Sequence, residues 1–179
     1  MTIVTVNETT NTVTVTTPGP AGPQGVPGSI SPLARGQVSK MDSGTVDIAT
    51  QNVYISTGLT GILDATTAND IALGTTDTFA VKNTSGETKL MEVYGSVDAR
   101  TVTGNNKTLG VKLALNGVAI SETECRAFTG TGTEEAKLAT KWMIEMENDD
   151  EVALFIANHS DSGDISFHRG RLVAIEVPS

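Results

Sequence analysis

Two histidines, His159 and His168, flank the turn Asp161-Ser162-Gly163-Asp164. If a hairpin brought them face to face, the two imidazoles with Asp161 or Asp164 would supply the nitrogen and oxygen donors that a transition metal takes. Asp and Gly are also ordinary turn residues, and on that reading one histidine lies near the turn and the other on a solvent face. The acidic pairs Asp149-Asp150 and Asp161…Asp164 offer oxygen ligands of the kind calcium takes, without the alternating spacing of a dedicated loop. A carboxylate pair for glycoside cleavage could be drawn from the many Asp and Glu, yet such work needs an aromatic-lined groove, and aromatics make up only 4% of the chain. Cys125, the only cysteine, rules out an intrachain disulfide and reads as a small apolar filler rather than a nucleophile. The phosphate-binding loop, the dinucleotide fingerprint, His-Glu-x-x-His and Cys-x-x-Cys do not occur in the sequence. A non-enzymatic role is therefore expected, with no metal and no cofactor.

Composition narrows the partners. The formal net charge of −9 is spread over separated Asp and Glu, which favours solubility and argues against a phosphate-binding face, so nucleic acid is not expected. No apolar run is long enough to span a bilayer, and the start MTIVTVNETTNTV lacks a basic segment followed by a hydrophobic one. No membrane insertion is expected.

The elements that would have to position any site are strands. Threonine and glycine are frequent, and strong helix formers rarely share a window. Residues 1–17 alternate β-branched residues in two runs, with Ile3, Val4 and Val6 in one and Val13 and Val15 in the other, around the turn-prone 7–11. A lone hairpin is marginal in water, so this segment is expected to act as an anchoring arm that adds strands to a partner's sheet, with a frayed terminus as the plainer alternative.

Residues 18–35 form a Pro/Gly neck and linker, with Gly19, Gly22, Gly25 and Gly28 falling every third residue. Only glycine fits at the axis of three wound polyproline-II chains, so the period predicts a short collagen-like neck and a homotrimer, with a stiff linker as the plainer alternative.

Residues 36–179 read as an all-β head with a turn signal every ten residues or so. The clearest strand, 138–147, places Leu138, Trp142, Ile144 and Met146 on one face, which predicts a buried Trp142. Further core faces are expected at Met91, Val93 and Val97; at Leu109 through Leu115; at Val152, Leu154 and Ile156; and at Val173, Ile175 and Val177. Shorter strands are expected at 46–48, 53–55, 71–73 and 79–81, and 130–137 could carry a helical turn. Eight to ten strands in a head of this length suit a two-sheet jelly-roll sandwich.

The arm running into VTVTTPGPAGPQGVPG resembles the N-terminal regions of tailed-phage fibre and capsid-decoration proteins, where short collagen-like repeats join an anchor to a trimeric head. The closing stretch KWMIEMENDDEVALFIANHSDSGDISFHRGRLVAIEV resembles the last strands of C1q/TNF-like jelly rolls. The head lacks the aromatic cluster usual along the threefold axis of such trimers, so its trimer core would be aliphatic and threonine side chains. The resemblance implies a viral structural protein: a trimeric capsid-decoration or head-fibre protein on the particle surface, assembled in the host cytoplasm and held to the major capsid or another virion protein through the arm. A tail-fibre receptor-binding tip with a host surface ligand is the first alternative. A carbohydrate-active enzyme is a lesser one, and a secreted C1q-like protein is disfavoured by the missing signal peptide.

Overall fold

The computed structural model describes residues 3–8, 11–16, 32–77, 79–131 and 134–178, with side chains described from residue 32 onward. The chain divides into two units, Met1–Ser31 and Pro32–Ser179. In the first, β1 (Ile3–Glu8) and β2 (Asn11–Thr16) pair antiparallel, with Val4 opposite Val15 and Val6 opposite Val13. The four period-three glycines lie outside the described residues.

The second unit is an all-β sandwich. Its strands are β3 (Arg35–Lys40), β4 (Gly44–Val46), β5 (Ile55–Ser56), β6 (Ile62–Leu63), β7 (Ile71–Leu73), β8 (Ala80–Asn83), β9 (Lys89–Thr101), β10 (Thr108–Leu115), β11 (Val118–Ala119), β12 (Cys125–Phe128), β13 (Ala136–Met146), β14 (Glu151–Asn158) and β15 (Ile165–Glu176). Sheet I runs β13-β9-β15-β3-β6, with β4 also on β15. Sheet II runs β11-β10-β14-β8-β7, with β12 also on β10 and β5 on β14. Every pairing is antiparallel, and the pattern is that of a jelly roll. The one helical turn among the described residues is 3₁₀, at Ser121–Thr123 rather than within 130–137.

Period-two alternation builds the core, because successive side chains of a strand point to opposite faces. Met91, Val93, Val97, Leu138, Ile144 and Met146 of sheet I meet Leu109, Val111, Leu113, Leu154 and Ile156 of sheet II, all buried. The sheets approach closely at Gly95, where an added Cβ would stand 2.7 Å from a Leu154 methyl. Phe79 and Phe167 meet edge to face at 5.6 Å, a favoured aromatic geometry.

Two of the expected core faces are corrected. Trp142 lies on the core-facing side of β13 but is 42% exposed. β13 is the outer strand of sheet I, and sheet II on that side is continued only by short strands and the 3₁₀ turn, too little to roof an indole. Alternation assigns a side chain to a face, not to its cover. On β15 the expected face is inverted: Leu172 and Ala174 are buried while Ile175 is 47% exposed. The pairing with β9 slips between Phe167 and Arg169, and a bulge of one residue moves every later side chain to the opposite face.

Turn chemistry holds the ends. Asn116 and Gly117, both at positive φ (50° and 80°), form the two-residue connection between β10 and β11, the combination such hairpins favour. The buried Asn83 amide donates to the carbonyls of Glu87 (2.8 Å), Met146 (3.0 Å) and Glu147 (3.1 Å) and accepts from the Ser85 amide (3.0 Å), tying the β8–β9 connection to the β13–β14 turn. At the same end Ala34 and Glu176 are joined twice. The Ala34 amide donates to Glu176 Oε2 at 2.7 Å, and the Glu176 amide donates to the Ala34 carbonyl at 2.8 Å.

Candidate functional site

The register places the outward side chains of sheet I in rows. Lys141, Tyr94, Val173 and Gln37 form one, and Met143, Glu92, Ile175 and Arg35 the next. Leu90 continues the surface beyond them, opposite Glu145. Leu90, Tyr94, Met143 and Ile175 are all exposed, so the face sets exposed apolar side chains among the polar Gln37, Arg35 and Glu145 and the Glu92–Lys141 ion pair at 3.0 Å. The opposite end of the same face carries Asp98, Arg169 and Arg171. The apolar end is the one where residue 34 joins the head, since Ala34, Leu90 and Glu176 meet there: the Val177 amide donates to the Leu90 carbonyl at 2.8 Å. Trp142 and Met143 carry the exposed apolar surface round onto the outer edge of β13. Large apolar side chains exposed together on one sheet face make it a candidate contact surface.

Tyr94 stands in the middle of this face. The signal that could have located the face is the alternation Val173-Ile175-Val177, correctly seen but assigned to the interior.

Acid–base side chains gather on the outward side of sheet II. The Tyr54 hydroxyl donates to Glu124 Oε1 at 2.7 Å and lies 3.0 Å from His159 Nε2, while His159 Nδ1 lies 2.8 Å from Asn52 Oδ1. Arg126 Nε donates to Glu124 Oε1 at 2.5 Å, and Lys112 Nζ stands 4.4 Å from the Tyr54 ring centroid. Gly110 lies beneath, and an added Cβ would overlap the Tyr54 hydroxyl and come within 2.6 Å of His159 Nε2. Burial, with the Glu124 charge, pushes the Tyr54 phenol up. Burial, helped by the Arg126 charge, pushes the His159 imidazole down. The Tyr54 hydrogen bond holds Glu124 below the usual carboxylate range. At neutral pH these shifts give a protonated phenol, a neutral ring and a carboxylate, each already engaged. The cluster is a closed clip that fastens residues 51–56 to sheet II, with Gln51 Nε2 donating to the His159 carbonyl at 2.7 Å as a further tie.

The remaining sequence candidates separate. His168 lies on β15 of sheet I, with Nδ1 3.2 Å from Glu135 and Nε2 3.1 Å from the Ser166 hydroxyl, so it does not face His159. Asp161 takes Lys107 at 2.7 Å and the Asn158 amide at 2.7 Å, while Asp164 accepts from the Ile48 amide at 3.1 Å. Asp150 accepts from the Glu147 amide at 2.8 Å and from Asn116 at 2.7 Å. These carboxylates close turns. No group of three metal-ligating side chains occurs among the described residues. No helix of the described residues is long and apolar enough to cross a membrane. Ile144, Leu154 and Ile156 are buried as core residues, and Cys125 is half-buried against the core.

No family model and no curated relative matches the chain. Solved structures do. An Eiger TNF from S. frugiperda aligns over 83% of this chain and 95% of its own at a TM-score of 0.51 with 11% identity. Murine APRIL aligns over 80% and 99% at 0.50 with 9% identity. The PRD1 vertex protein P5 aligns over 80% and 96% at 0.45 with 12% identity, too distant for its biology to bear on this chain. What the first two share with this chain is the fold: a TNF-like jelly-roll sandwich.

Proposed function

We propose that the chain is a non-enzymatic structural protein that assembles as a homotrimer and displays its sandwich on a virus particle, as a capsid-decoration or head-fibre protein held through β1 and β2. The observation that carries the reading is the group of exposed apolar side chains Leu90, Tyr94, Met143 and Ile175 on sheet I, at the end where residue 34 joins the head. A ring of three copies related by rotation uses two different surfaces of each protomer. The face around Tyr94 and Ile175 is one such surface, and the open edge of β13 with Trp142 and Met143 is the other. The Gly-X-Y period of residues 19–28 independently asks for three chains, and the paired strands of the arm suit addition to a partner's sheet. The closed state of the Tyr54–His159 cluster agrees with a role without catalysis.

A tail-fibre receptor-binding tip stands second, supported by exposed Phe128 and Val102 at the end of the sandwich away from residue 34. Sedimentation equilibrium of the full chain at micromolar concentration is expected to give a trimer, and a monomer would end the reading. Deleting residues 2–17 should leave the trimer intact and abolish incorporation into particles. Immunogold labelling would then separate capsid from tail.

A further inference from the structure

A cleft of about 300 Å³ opens on the outward side of sheet II, between the loop at Thr75–Asp77 and the Asn116-Gly117 turn. Its floor is the outward row of β14, Glu151, Ala153 and the half-buried ring of Phe155. Its size is at the small end of the range for small-molecule sites. Because it lies on the sheet that the proposed assembly does not use, it stays open in a trimer and exists equally in a monomer.

The polar groups of the rim are fixed from behind. Glu151 accepts from the amides of Thr75 (2.7 Å), Thr76 (3.0 Å) and Asp77 (3.4 Å) and from the Thr75 hydroxyl (2.5 Å). Burial alone would raise its pKa, but these bonds, led by Thr75, hold it below the usual carboxylate range. Asp77 accepts from the Ser56 hydroxyl and from the Phe79 amide. Lys82 Nζ pairs with Asp149 at 2.9 Å, and Asn116 is tied to Asp150 and the Glu151 amide. A carboxylate oxygen has two lone pairs, so Asp77 and Asp149 keep acceptor capacity toward the cleft; Lys82 supplies N–H donors and the exposed Thr76 a hydroxyl of either sense.

This inventory excludes most ligand classes. An anion meets three carboxylates, and a cation finds Asp149 already paired with Lys82, Glu151 held by three amides and Asp77 by the Ser56 hydroxyl and the Phe79 amide. A wholly apolar ligand would strip water from the rim without replacing its hydrogen bonds. A sugar ring offers an apolar C–H face for Phe155 and an edge of hydroxyls that both donate and accept. We propose that this cleft binds one neutral pyranose unit of a saccharide, with Phe155 as its platform and Asp77, Asp149, Lys82 and Thr76 reading its hydroxyls.

The test is saturation-transfer NMR on the full chain with the methyl glycosides of glucose, galactose, mannose and N-acetylglucosamine. At least one is expected to give a saturable signal in the millimolar range. Phe155→Ala should weaken it about tenfold or more, as should Thr76→Val, which removes a hydroxyl from an exposed loop and leaves the Glu151 bonds in place. The proposal is overturned if no glycoside saturates up to about 0.1 M, if butylammonium binds and the glycosides do not, or if a glycoside signal survives in Thr76→Val and in a folded Phe155→Ala.

Discussion

Sheet II is roofed by its own chain, with residues 51–56 clipped down through Tyr54, His159 and Glu124 and the Thr75–Asp77 loop pinned through Glu151, while on the matching face of sheet I Leu90, Tyr94, Met143 and Ile175 are exposed among the described residues, with the loop at Thr67 reaching only its margin beside Arg35. The two faces belong to one sandwich and share one core, so the difference is not a matter of stability within the protomer. A face covered by the chain's own loops can carry buried polar groups, because the covering loops bring the partners those groups need. A face that a second copy is to cover is better kept apolar, because each unpaired polar group on it would cost desolvation on assembly. In this molecule the polar groups of the covered side are held by its loops, while the other side exposes Leu90, Tyr94, Met143 and Ile175.

The largest effect should come from charging the bare face. Val173→Asp with Ile175→Asp is expected to convert the trimer to monomer at micromolar concentration, a loss of at least about 2 kcal/mol per contact as for central interface residues, while the far-UV circular dichroism stays that of a folded β-protein. Trp142 is the built-in reporter: its emission should be blue-shifted in the wild-type trimer and should move to longer wavelength in the charged variant. A double variant that sediments as a trimer would remove the distinction between the faces.

Next in size is Gly110→Val on the covered face. The added side chain overlaps the Tyr54 hydroxyl and His159 Nε2, so urea unfolding should show a destabilisation of about 1 to 3 kcal/mol, the usual cost of overpacking. The oligomeric state should not change. Dissociation by this variant alone would mean that the two faces are coupled rather than independent.

The smallest effect is a pH dependence whose first step belongs to the covered face. The folded-state pKa of His159 lies below its ordinary value of about 6.5, so the unfolded chain binds the proton first. Stability is then fully present above about pH 6.5 and declines as the pH falls through the folded value. Glu151 and Glu124, also held low in the fold, add a second decline below about pH 4.5. Thermal unfolding of His159→Gln should lose the first decline and keep the second. A first decline that persisted in that variant would assign it to another group.

How much of this could be read from residues alone depends on the range over which each feature is set. Strand positions are local, and β9, β10, β13 and β14 fall where the alternation of Val, Leu, Ile and Met places them. The inverted face of β15 was not legible, because a bulge at Phe167/Arg169 leaves the alternation intact on either side and changes only its sense. Trp142 was misplaced for a related reason: a sequence does not say which strand ends a sheet. The Tyr54–His159 contact joins residues 105 apart, and neither carries a motif. The cleft escaped notice for the same cause, since Phe155, Asp77 and Lys82 come from separate strands and loops.

The pair of hydrogen bonds between Ala34 and Glu176 has a consequence for engineering. Two points 142 positions apart in the chain sit side by side at one end of the head, with their backbones already hydrogen-bonded. A segment spliced at that point need open only a gap of a few ångströms, so the head could be grafted whole into a surface loop of an unrelated protein, or circularly permuted with a short bridge from 176 to 34 and new termini opened in the 102–107 loop. Sites where the ends of a domain lie close together are where such rearrangements succeed.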